Sequence, residues 1–488
     1  MKTIEKNRKK GLAAVVLAAG KGTRMRSSVA KILHPLCGLP LGAWPIEAAR
    51  AAGAKPIVVV VGHQAEEAGL ALSKAAPDAR LSFAVQEEQL GTGHAVMCAR
   101  REIEASKAGR VLILCGDVPC LTGSTLSRLA RAGEKADIAL LTFEPAEPGR
   151  YGRIVRDERG RVTGIVEAAD ATAAQKKIRE VNAGIYCMGT GFLLRALDGL
   201  TDDNAQGELY LTDLVELASK EGGKVTAVSA EEEEVQGVND RVDLARAAKM
   251  LRARINDKLM RGGVSFEDPS ATYVDAGVKI GADSMIAAGA HLIGETRLGT
   301  GVEIGPCAVV QNSHLQAGAV IKAHSVLDSA TVEAGASVGP FARLRPGTVI
   351  GRKASVGNFV EVKNARLGEG AKSGHLTYLG DADIGPKANI GAGTITCNYD
   401  GKDKFRTKIG RGCFIGSNSA LVAPVSIGKN GYVAAGSTIT QDIPEGALGV
   451  ARGRQRNIEG WTSRTKAKKI SRPTPGPSRP ARRKRRRS

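Results

Sequence analysis

The sequence predicts an α/β domain with a mostly parallel sheet, followed by a parallel β-solenoid. Two observations carry this prediction. Short apolar runs alternate with helical segments in the first half, and an aliphatic residue recurs at every sixth position in the second half. A period of six fits neither a 3.6-residue helix nor two-residue strand alternation. Each hexad must therefore form one flat side of a coil that stacks on its neighbours.

The hexads fall into three stretches, and the third follows an interruption around Tyr399. Aliphatic side chains at these positions would stack in inward rows, while Gly or Ala at the corners would permit tight bends. The repeats alone leave a catalytic coil and a mere spacer equally open. The predicted inward positions are Val274, Ile280, Ile286, Leu292, Leu298, Ile304, Val310, then Val326, Val332, Val338, Leu344, Ile350, Val356, Val362, and finally Ile409, Ile415, Leu421, Ile427, Val433, Ile439.

Four apolar runs in the first half are predicted strands, at residues 15–19, 57–61, 81–85 and 111–114. Ligands of such sheets bind at the carboxyl ends of the strands. The loop after the first run contains Gly20 and Gly22, whose backbone N–H groups can approach phosphates. Asp117 follows the fourth run, where a carboxylate suits Mg²⁺. Taken alone, Asp117 would be better explained as a helix cap or turn residue.

The composition predicts a cytoplasmic protein of two to four domains. The chain has 488 residues, of which 42% are apolar and only 3% aromatic, and this balance suits a coil filled by Val, Ile and Ala. Its eight cysteines form neither a CxxC pair nor a zinc-like pattern. The basic start and the apolar run 12–19 imitate a secretory signal, but KGTRM follows instead of a cleavage site. No run reaches the roughly 18 apolar residues of a membrane span.

Strings from about residue 12 to about residue 461 resemble those of a bifunctional family, the N-acetylglucosamine-1-phosphate uridyltransferases that are also glucosamine-1-phosphate acetyltransferases. The resemblance implies a left-handed β-helix with three hexads per turn, an exception to the right-handed rule for parallel crossovers. It also implies a product, UDP-N-acetylglucosamine, that feeds cell-envelope synthesis. The matching strings are LAAGKGTRM, QEEQLGTGHA, GDVP, YGRI, GIVE, NAGIY, GVNDR, GPFARLRPG, GNFVEVKNARLG, GHLTYLGDADIG and NIGAGTITCNYDG.

For the first domain, the resemblance implies Mg²⁺-dependent uridylyl transfer from UTP to N-acetylglucosamine 1-phosphate, with release of pyrophosphate. Positive charge must offset the repulsion between two phosphorylated substrates, and we assign Arg24 and Lys31 to this role. Asp117 and Asn239 match the family's Mg²⁺ ligands. The implied substrate contacts are Leu17, Ala18, Ala19, Gly20, Lys31, Gly116 and Asn239, with Gln86, Gly91 and Thr92 for uracil and Gly152, Glu167 and Asn182 for the amino sugar.

Two positions depart from the family pattern in this half. Cys115 stands where the family usually has Tyr before the Gly-Asp pair, and Ala30 stands where Pro commonly precedes the residue that matches Lys31. A proline would stiffen that loop. We therefore expect the same reaction with altered substrate affinity.

For the second domain, the resemblance implies acetyl transfer from acetyl-CoA to glucosamine 1-phosphate. His375 lies in the matching motif and is the predicted general base, since imidazole titrates near neutral pH. The family completes these sites between subunits, which predicts a homotrimer. The implied sugar-phosphate contacts are Arg345, Lys363, Tyr378 and Asn389, and the implied acetyl-CoA contacts are Ala392, Asn398, Tyr399, Ser417, Ala435 and Arg452.

Two alternatives stay open at this point. One is a monofunctional sugar-nucleotide pyrophosphorylase whose coil is only architectural. The other is a non-catalytic regulatory or scaffolding protein built from the same two domains. Both predict degraded acetyl-site residues. The first is disfavoured by the intact set Arg345, Lys363, His375, Tyr378 and Asn389, and the second by intact Lys31, Asp117 and Asn239.

The predicted divisions are a basic extension (1–11), a uridyltransferase domain (12–240), a helical linker (241–263), a β-helix acetyltransferase domain (264–461) and a disordered basic tail (462–488). The linker has one apolar face, formed by Leu244, Ala248, Leu251, Ile255 and Leu259, with its charged side in solvent. Residues 466–488 carry eleven Lys or Arg and no acid, so this segment accounts for eleven units of the chain's net charge of +20. Such a tail could bind polyanions weakly or have no specific ligand.

Overall fold

The computed structural model describes residues 11–464, which form an α/β domain, a long helix and a three-sided coil of parallel strands. Residues 1–10 and 465–488 lie outside the described range. The predictions for the N-terminal extension and for most of the basic tail therefore stay predictions. Residues 461–464 form one exposed helical turn. Among residues 11–464, none of the helices combines the length and apolar character that a membrane span requires.

The α/β domain consists of eleven strands and eight α-helices. The strands are β1 Leu12–Leu17, β2 Pro35–Leu36, β3 Leu39–Pro40, β4 Ile57–Val61, β5 Leu81–Val85, β6 Arg110–Cys115, β7 Ile138–Phe143, β8 Arg153–Arg156, β9 Val162–Val166, β10 Val181–Gly189 and β11 Val225–Ser229. The helices are α1 Ala43–Ala51, α2 Ala65–Ala75, α3 Thr92–Cys98, α4 Arg100–Ser106, α5 Gly123–Gly133, α6 Thr190–Ala196, α7 Asp213–Lys220 and α8 Glu232–Val235, with 3₁₀ turns at Thr23–Met25, Lys31–Leu33, Gln175–Lys177 and Leu197–Gly199.

The main sheet has the strand order β11-β7-β10-β6-β1-β4-β5. Strands β6, β1, β4 and β5 are parallel, whereas β10 runs antiparallel to β6 and β7. Apolar clusters cover both faces, which explains why β4 is an unbroken run of five aliphatic residues. The predicted mostly parallel sheet is therefore confirmed. The first strand, however, ends at Leu17 and not at Ala19, because the chain turns there into the glycine loop.

The coil is built from three parallel ladders, here called face one, face two and face three. Face one contains Ser265–Phe266, Met285–Ile286, Glu303–Ile304, Val320–Ile321, Ser337–Val338, Ser355–Asn358, Lys372–His375, Asn389–Ile390, Phe414–Ile415, Tyr432–Val433 and Leu448–Gly449. Face two contains Tyr273–Val274, His291–Ile293, Val309–Gln311, Val326–Asp328, Arg343–Leu344, Glu361–Lys363, Tyr378–Gly380, Ile395–Cys397, Ala420–Val422 and Thr438–Ile439. Face three contains Lys279–Ile280, Arg297–Leu298, His314–Leu315, Thr331–Val332, Val349–Ile350, Arg366–Leu367, Ala382–Ile384, Thr407–Ile409 and Val425–Ile427.

The hexad rule holds for nearly all inward positions, with one error. Val326 is 42% exposed, and its neighbour Leu327 points inward and pairs with Val310 of the preceding coil. The cause is the step from Leu327 to Val332, which is five residues and not six, so that counting back six positions from Val332 selects Val326. Because side chains alternate along a strand, the shortened side places the following residue, not Val326, in the interior.

The helix α9, Arg241–Arg261, connects the two parts. Leu251 packs against the α/β domain, and Ile255 and Leu259 pack against the coil, so the predicted apolar face is confirmed. We expected the charged side of this helix to lie in solvent, but two of its arginines make contacts within the protein. The guanidinium of Arg252 lies 4.0 Å from the ring centre of Tyr273, and Arg254 donates a hydrogen bond to the carbonyl oxygen of Cys120.

Candidate active sites

The glycine loop begins at the carboxyl end of β1. Ala18 and Ala19 are buried, whereas Gly20 is exposed. Gly22 has a φ of +60°, and a Cβ atom there would lie 2.6 Å from Cβ of Lys31. Only glycine satisfies both the dihedral angle and the close approach. The loop backbone therefore passes directly against the Lys31 side chain at Gly22.

Two hydrogen-bonded pairs lie at this end of the sheet, and each joins a cation to a side-chain oxygen. The Lys31 ammonium donates a hydrogen bond to Oδ2 of Asp117. Nη2 of Arg24 donates to Oδ1 of Asn239 at 2.9 Å. The structure thus brings together all four residues that were predicted to bind the metal and the phosphates.

Backbone contacts hold the proposed metal ligands in place. Asp117 follows β6, and its carbonyl oxygen accepts a hydrogen bond from Val238 N at 2.8 Å. A Cβ atom at Gly237 would lie 3.6 Å from Oδ1 of Asp117, so glycine leaves space beside that carboxylate oxygen. Asn239 N donates to Asp243 Oδ2 in the first turn of α9 at 3.1 Å. The oxygen donors and the adjoining space fit a hard cation such as Mg²⁺.

The predicted uracil contacts cluster beside the ends of β4 and β5. Gln86 is buried, and its Nε2 donates to the carbonyl oxygen of Gly91 at 3.2 Å. Gly91 has a φ of +106°, and a Cβ there would lie 2.7 Å from the carbonyl oxygen of Leu209. Thr92 Oγ1 accepts from Leu211 N at 3.1 Å. A planar ligand would therefore meet an amide side chain and a glycine turn that are held rigidly.

The predicted amino-sugar contacts also lie together. The Gly152 carbonyl oxygen accepts from Asn182 N at 2.9 Å, and a Cβ at Gly152 would lie 3.4 Å from the Glu167 carboxylate. Burial raises the pKa of Glu167 despite a hydrogen bond from Thr212 Oγ1. Asn182 is buried, and its Nδ2 donates to the hydroxyl of Tyr186 at 2.7 Å.

Cys115, the first departure from the family pattern, reaches this sugar region. Its Sγ donates to the carbonyl oxygen of Gly184 at 3.4 Å. Gly184 has a φ of +70° and lies in the irregular part of β10 that follows Asn182. Burial raises the pKa of the Cys115 thiol to about 12, so it is present as the neutral thiol. A small neutral side chain thus supports the strand that carries Asn182.

Ala30, the second departure, is held by a side chain that sequence reasoning missed. Its backbone N donates to Oε1 of Gln64 at 2.6 Å. A proline at this position has no N–H group and could not form that bond. Gln64 therefore fixes the segment before Lys31 by a contact that only a non-proline residue allows.

In the coil, His375 ends a strand of face one and is exposed. Its Nδ1 lies 2.7 Å from Oδ1 of Asn358, its neighbour on the preceding coil. Because an amide oxygen only accepts, this contact requires the hydrogen on Nδ1. Nε2 then carries the free lone pair that a general base needs.

The predicted sugar-phosphate cations lie on face two. Arg345 donates to Glu361 Oε1 at 3.0 Å. Chiefly because the ammonium of Lys404 lies close by, the pKa of Lys363 is lowered, and Arg345 adds to the effect. Lys404 lies in the interrupting loop and was not predicted. Three cations in one region have the charge that a phosphate group would require of a binding site.

Four of the predicted acetyl-CoA contacts lie shortly after four successive strands of face one and so form a ladder along the coil. They are Ala392, Ser417, Ala435 and Arg452. Asn418 N, next to Ser417, donates to the Ala392 carbonyl oxygen at 2.7 Å. Arg452 Nη1 donates to the Ala435 carbonyl oxygen at 2.8 Å. Since neighbouring coils are about 4.8 Å apart, the ladder is long enough for an extended ligand.

The remaining predicted contacts are spread over the coil and do not join one cluster. Asn389 lies on face one, on the coil after that of His375. It pairs with Lys372, which precedes His375 by three residues in the same strand. Asn398 is buried, and its Nδ2 donates to Asp381, so it supports the interrupting loop. Tyr399 is 59% exposed at the start of that loop. One subunit therefore presents these groups on two faces and a loop.

An apolar ridge runs beside His375, and we define it as His324, Phe341, Phe359 and Leu376. The rings of Phe341 and Phe359 stack with centres 5.4 Å apart, and His324 stacks on Phe341 at 4.9 Å. Phe341, Phe359 and Leu376 are 48%, 56% and 63% exposed. All four residues have φ between 48° and 57°, so the corner backbone directs them outward.

The comparisons with known proteins agree with this two-part architecture. A family model described as the MobA-like NTP transferase domain matches residues 14–181. One described as the GMPPB C-terminal domain matches residues 270–368, and one described as bacterial transferase hexapeptide (six repeats) matches residues 406–441. The coil is accordingly a left-handed parallel β-helix of hexapeptide repeats, as the resemblance implied.

Curated relatives match along nearly the whole chain and share one name, "Bifunctional protein GlmU". The protein from Pelobacter propionicus is 49% identical over 460 residues, which cover 94% of this chain and 99% of the relative. The chain belongs to the bifunctional GlmU family. A relative from an Anaeromyxobacter species is 52% identical over 456 residues, covering 93% of each chain. The GlmU protein of Sorangium cellulosum is 49% identical over 463 residues, covering 94% of this chain and 97% of its own.

Proposed function

We propose that this chain makes UDP-N-acetylglucosamine in two steps, each carried out by its own domain. The coil acetylates glucosamine 1-phosphate with acetyl-CoA, and the α/β domain then transfers uridylyl from UTP to N-acetylglucosamine 1-phosphate. The observation that carries the proposal is the presence of two intact residue sets in one chain, 94% of which matches a bifunctional relative. An architectural coil would not require the His375–Asn358 contact or the cations of face two.

In the α/β domain, a phosphate oxygen of the sugar phosphate attacks the α-phosphorus of UTP. The bond from that phosphorus to the bridging oxygen breaks, and pyrophosphate leaves. Arg24 and Lys31 offset the charge that builds up on the phosphate oxygens. Asp117 and Asn239 would hold Mg²⁺, which neutralises nucleotide phosphates when bound. Gln86 would bind uracil, while Glu167 and Asn182 would orient the sugar.

In the coil, the amine of glucosamine 1-phosphate attacks the thioester carbonyl carbon of acetyl-CoA. The new C–N bond forms, the C–S bond breaks, and coenzyme A leaves as the thiolate. Nε2 of His375 accepts the proton that the amine gives up. Arg345, Lys363 and Lys404 would bind the sugar phosphate, and the ladder from Ala392 to Arg452 would bind coenzyme A.

We also propose that the active assembly is a homotrimer. The predicted contacts of one acetyl-transfer reaction lie on two faces and a loop of a single subunit, and the exposed apolar ridge lies next to His375. Exposed apolar ridges of this kind indicate an interface. Packing three ridges together would bring face one of one subunit towards face two of another and complete each site.

A single assay tests the proposed function. The full chain is supplied with glucosamine 1-phosphate, acetyl-CoA, UTP and Mg²⁺, and each component is omitted in turn. We expect UDP-N-acetylglucosamine only in the complete mixture, with N-acetylglucosamine 1-phosphate accumulating when UTP is left out. If N-acetylglucosamine 1-phosphate must be supplied before any nucleotide sugar forms, the monofunctional alternative is correct.

A further inference from the structure

A cavity of about 860 Å³ opens at the end of the α/β domain opposite to the glycine loop. Its walls include the first residues of β1 and β6, one side of α5 and the start of α6. The proposed uridylyl residues Ala18 and Asp117 follow the far ends of those two strands. Six strand residues span about 20 Å. The cavity therefore shares no wall residue with the proposed uridylyl site.

The walls combine apolar surface with a few polar groups. Leu12, Ala130 and Leu194 supply apolar contact area. Two polar side chains are already used within the protein, because the hydroxyl of Ser127 donates to Gly123 O and that of Thr190 to Ala108 O, each at 2.7 Å. The charged groups on the walls are Arg110, Arg131 and Glu134.

Arg110 differs from the other charged wall residues because part of its guanidinium is buried without a hydrogen bond among residues 11–464. The buried atom is Nη1, and no carboxylate in this range lies within ion-pair distance, although Glu134 lines the same cavity. The guanidinium lies beside the backbone of Gly133 and Gly189, where added Cβ atoms would lie 3.5 Å and 3.9 Å from Nη1, at ordinary contact distance. A half-buried cation without an ion-pair partner is costly, and a bound anion would remove that cost.

We propose that this cavity binds a small organic anion, an apolar body that ends in a carboxylate or phosphate group, with Arg110 as its ion-pair partner. Two arginines against one glutamate give the walls a net positive charge. The volume lies in the range of small-molecule sites, and the apolar residues would cover the body of the ligand. The site is separate from both proposed reactions and does not depend on them.

Isothermal titration of the full chain with phenyl phosphate, hexanoate and inorganic phosphate tests the proposal and separates the two anion types. We expect one molecule of phenyl phosphate or hexanoate to bind per chain and inorganic phosphate to bind much more weakly. UTP and acetyl-CoA should not displace the probe. Arg110→Gln should weaken binding about 10- to 100-fold, the effect of losing a charged hydrogen bond. Arg128→Gln, on α5 but outside the cavity, should leave binding unchanged.

A second variant keeps the test decisive if Arg110→Gln does not fold. Ala130→Phe would fill the cavity from α5 while Arg110 stays in place, and it should abolish probe binding without lowering either transfer activity. The proposal is overturned if neither organic probe binds at millimolar concentration, if UTP displaces the probe, or if Ala130→Phe binds as tightly as the unmodified chain.

Discussion

Lys31 donates a hydrogen bond to Oδ2 of Asp117, so the proposed phosphate-binding cation is paired with the proposed metal ligand. Arg24 repeats this arrangement with Asn239 at 2.9 Å. Each side chain that would bind Mg²⁺ thus shares one oxygen with a cation in the free protein. Nucleotide phosphates would attract both cations and release both oxygens, which links metal binding to nucleotide binding.

Lys31→Gln should therefore tighten metal binding while slowing uridylyl transfer. Without the competing ammonium, we expect the nucleotide-free chain to bind Mn²⁺ about tenfold more tightly, as followed by electron paramagnetic resonance. The exposed Lys135→Gln is the charge-matched control and should bind Mn²⁺ as the unmodified chain does. An unchanged Mn²⁺ affinity in Lys31→Gln would mean that Lys31 does not compete for Asp117.

Single substitutions should separate the two activities. Asp117→Ala should abolish UTP-dependent pyrophosphate release and leave acetyl transfer intact, because the residues lie in different domains. His375→Ala should slow acetyl transfer by about 10²- to 10⁴-fold, the usual contribution of a general base, and leave uridylyl transfer intact. Both rates are measured on the same preparation of each variant. Parallel loss of both activities in either variant would contradict two independent sites.

Asn358 should act as a positioning residue for His375. We expect Asn358→Ala to lower kcat of acetyl transfer about tenfold with little change in either KM, since the imidazole loses its fixed orientation and tautomer. Asn358→Asp should recover most of the rate because its carboxylate also accepts from Nδ1. An Asn358→Asp variant that is as slow as Asn358→Ala would argue against this positioning role.

Glu167 should give sugar binding a pH dependence. Because burial raises its pKa, the carboxylate becomes protonated, as pH falls, at a higher pH than an ordinary glutamic acid, whose pKa is about 4.3. The protonated acid can no longer accept two sugar hydroxyls, so KM for N-acetylglucosamine 1-phosphate should rise on acidification. Glu167→Gln should keep only the dependence that comes from titration of the substrate phosphate. Identical KM–pH curves for the two proteins would exclude this role.

Phe359→Glu should convert the proposed trimer into monomers by placing a charge in the apolar ridge. Sedimentation velocity should detect the change, acetyl transfer should be lost, and uridylyl transfer should persist. Leu70→Glu, at a 76% exposed apolar position on α2, is the matched control and should stay trimeric. A monomeric unmodified chain with full acetyl transfer would refute the trimer.

Most of the fold could be predicted because its periodicity is local. The apolar runs predicted β4 and β5 to the residue, and the hexads predicted the inward rows from Val332 to Val362. The error at Val326 arose because one side of the coil has a step of five residues between inward positions and not six, and no local sequence pattern indicates this change. Only the pairing of Leu327 with Val310 reveals it.

The sites were predictable where a motif carried them and not where the contact depends on topology. Asn358 precedes His375 by 17 residues, about one coil, so the coil period could have identified it. Lys404 lies in the interrupting loop, where the period stops and no spacing relates it to Lys363. Gln64 meets Ala30 only because the loops after β4 and β1 adjoin.

The position of α9 has a mechanical consequence. Its first turn holds Asn239 through Asp243, its middle packs on the α/β domain, and Asn256 near its far end donates to the carbonyl oxygens of Pro269 and Thr272 in the coil. The helix α9 thus supports Asn239 at one corner of the proposed nucleotide site, although α9 itself contains none of the proposed uridylyl residues. A cut between residues 240 and 241 would leave every proposed uridylyl group on one fragment and remove the support that keeps Asn239 in register with Asp117.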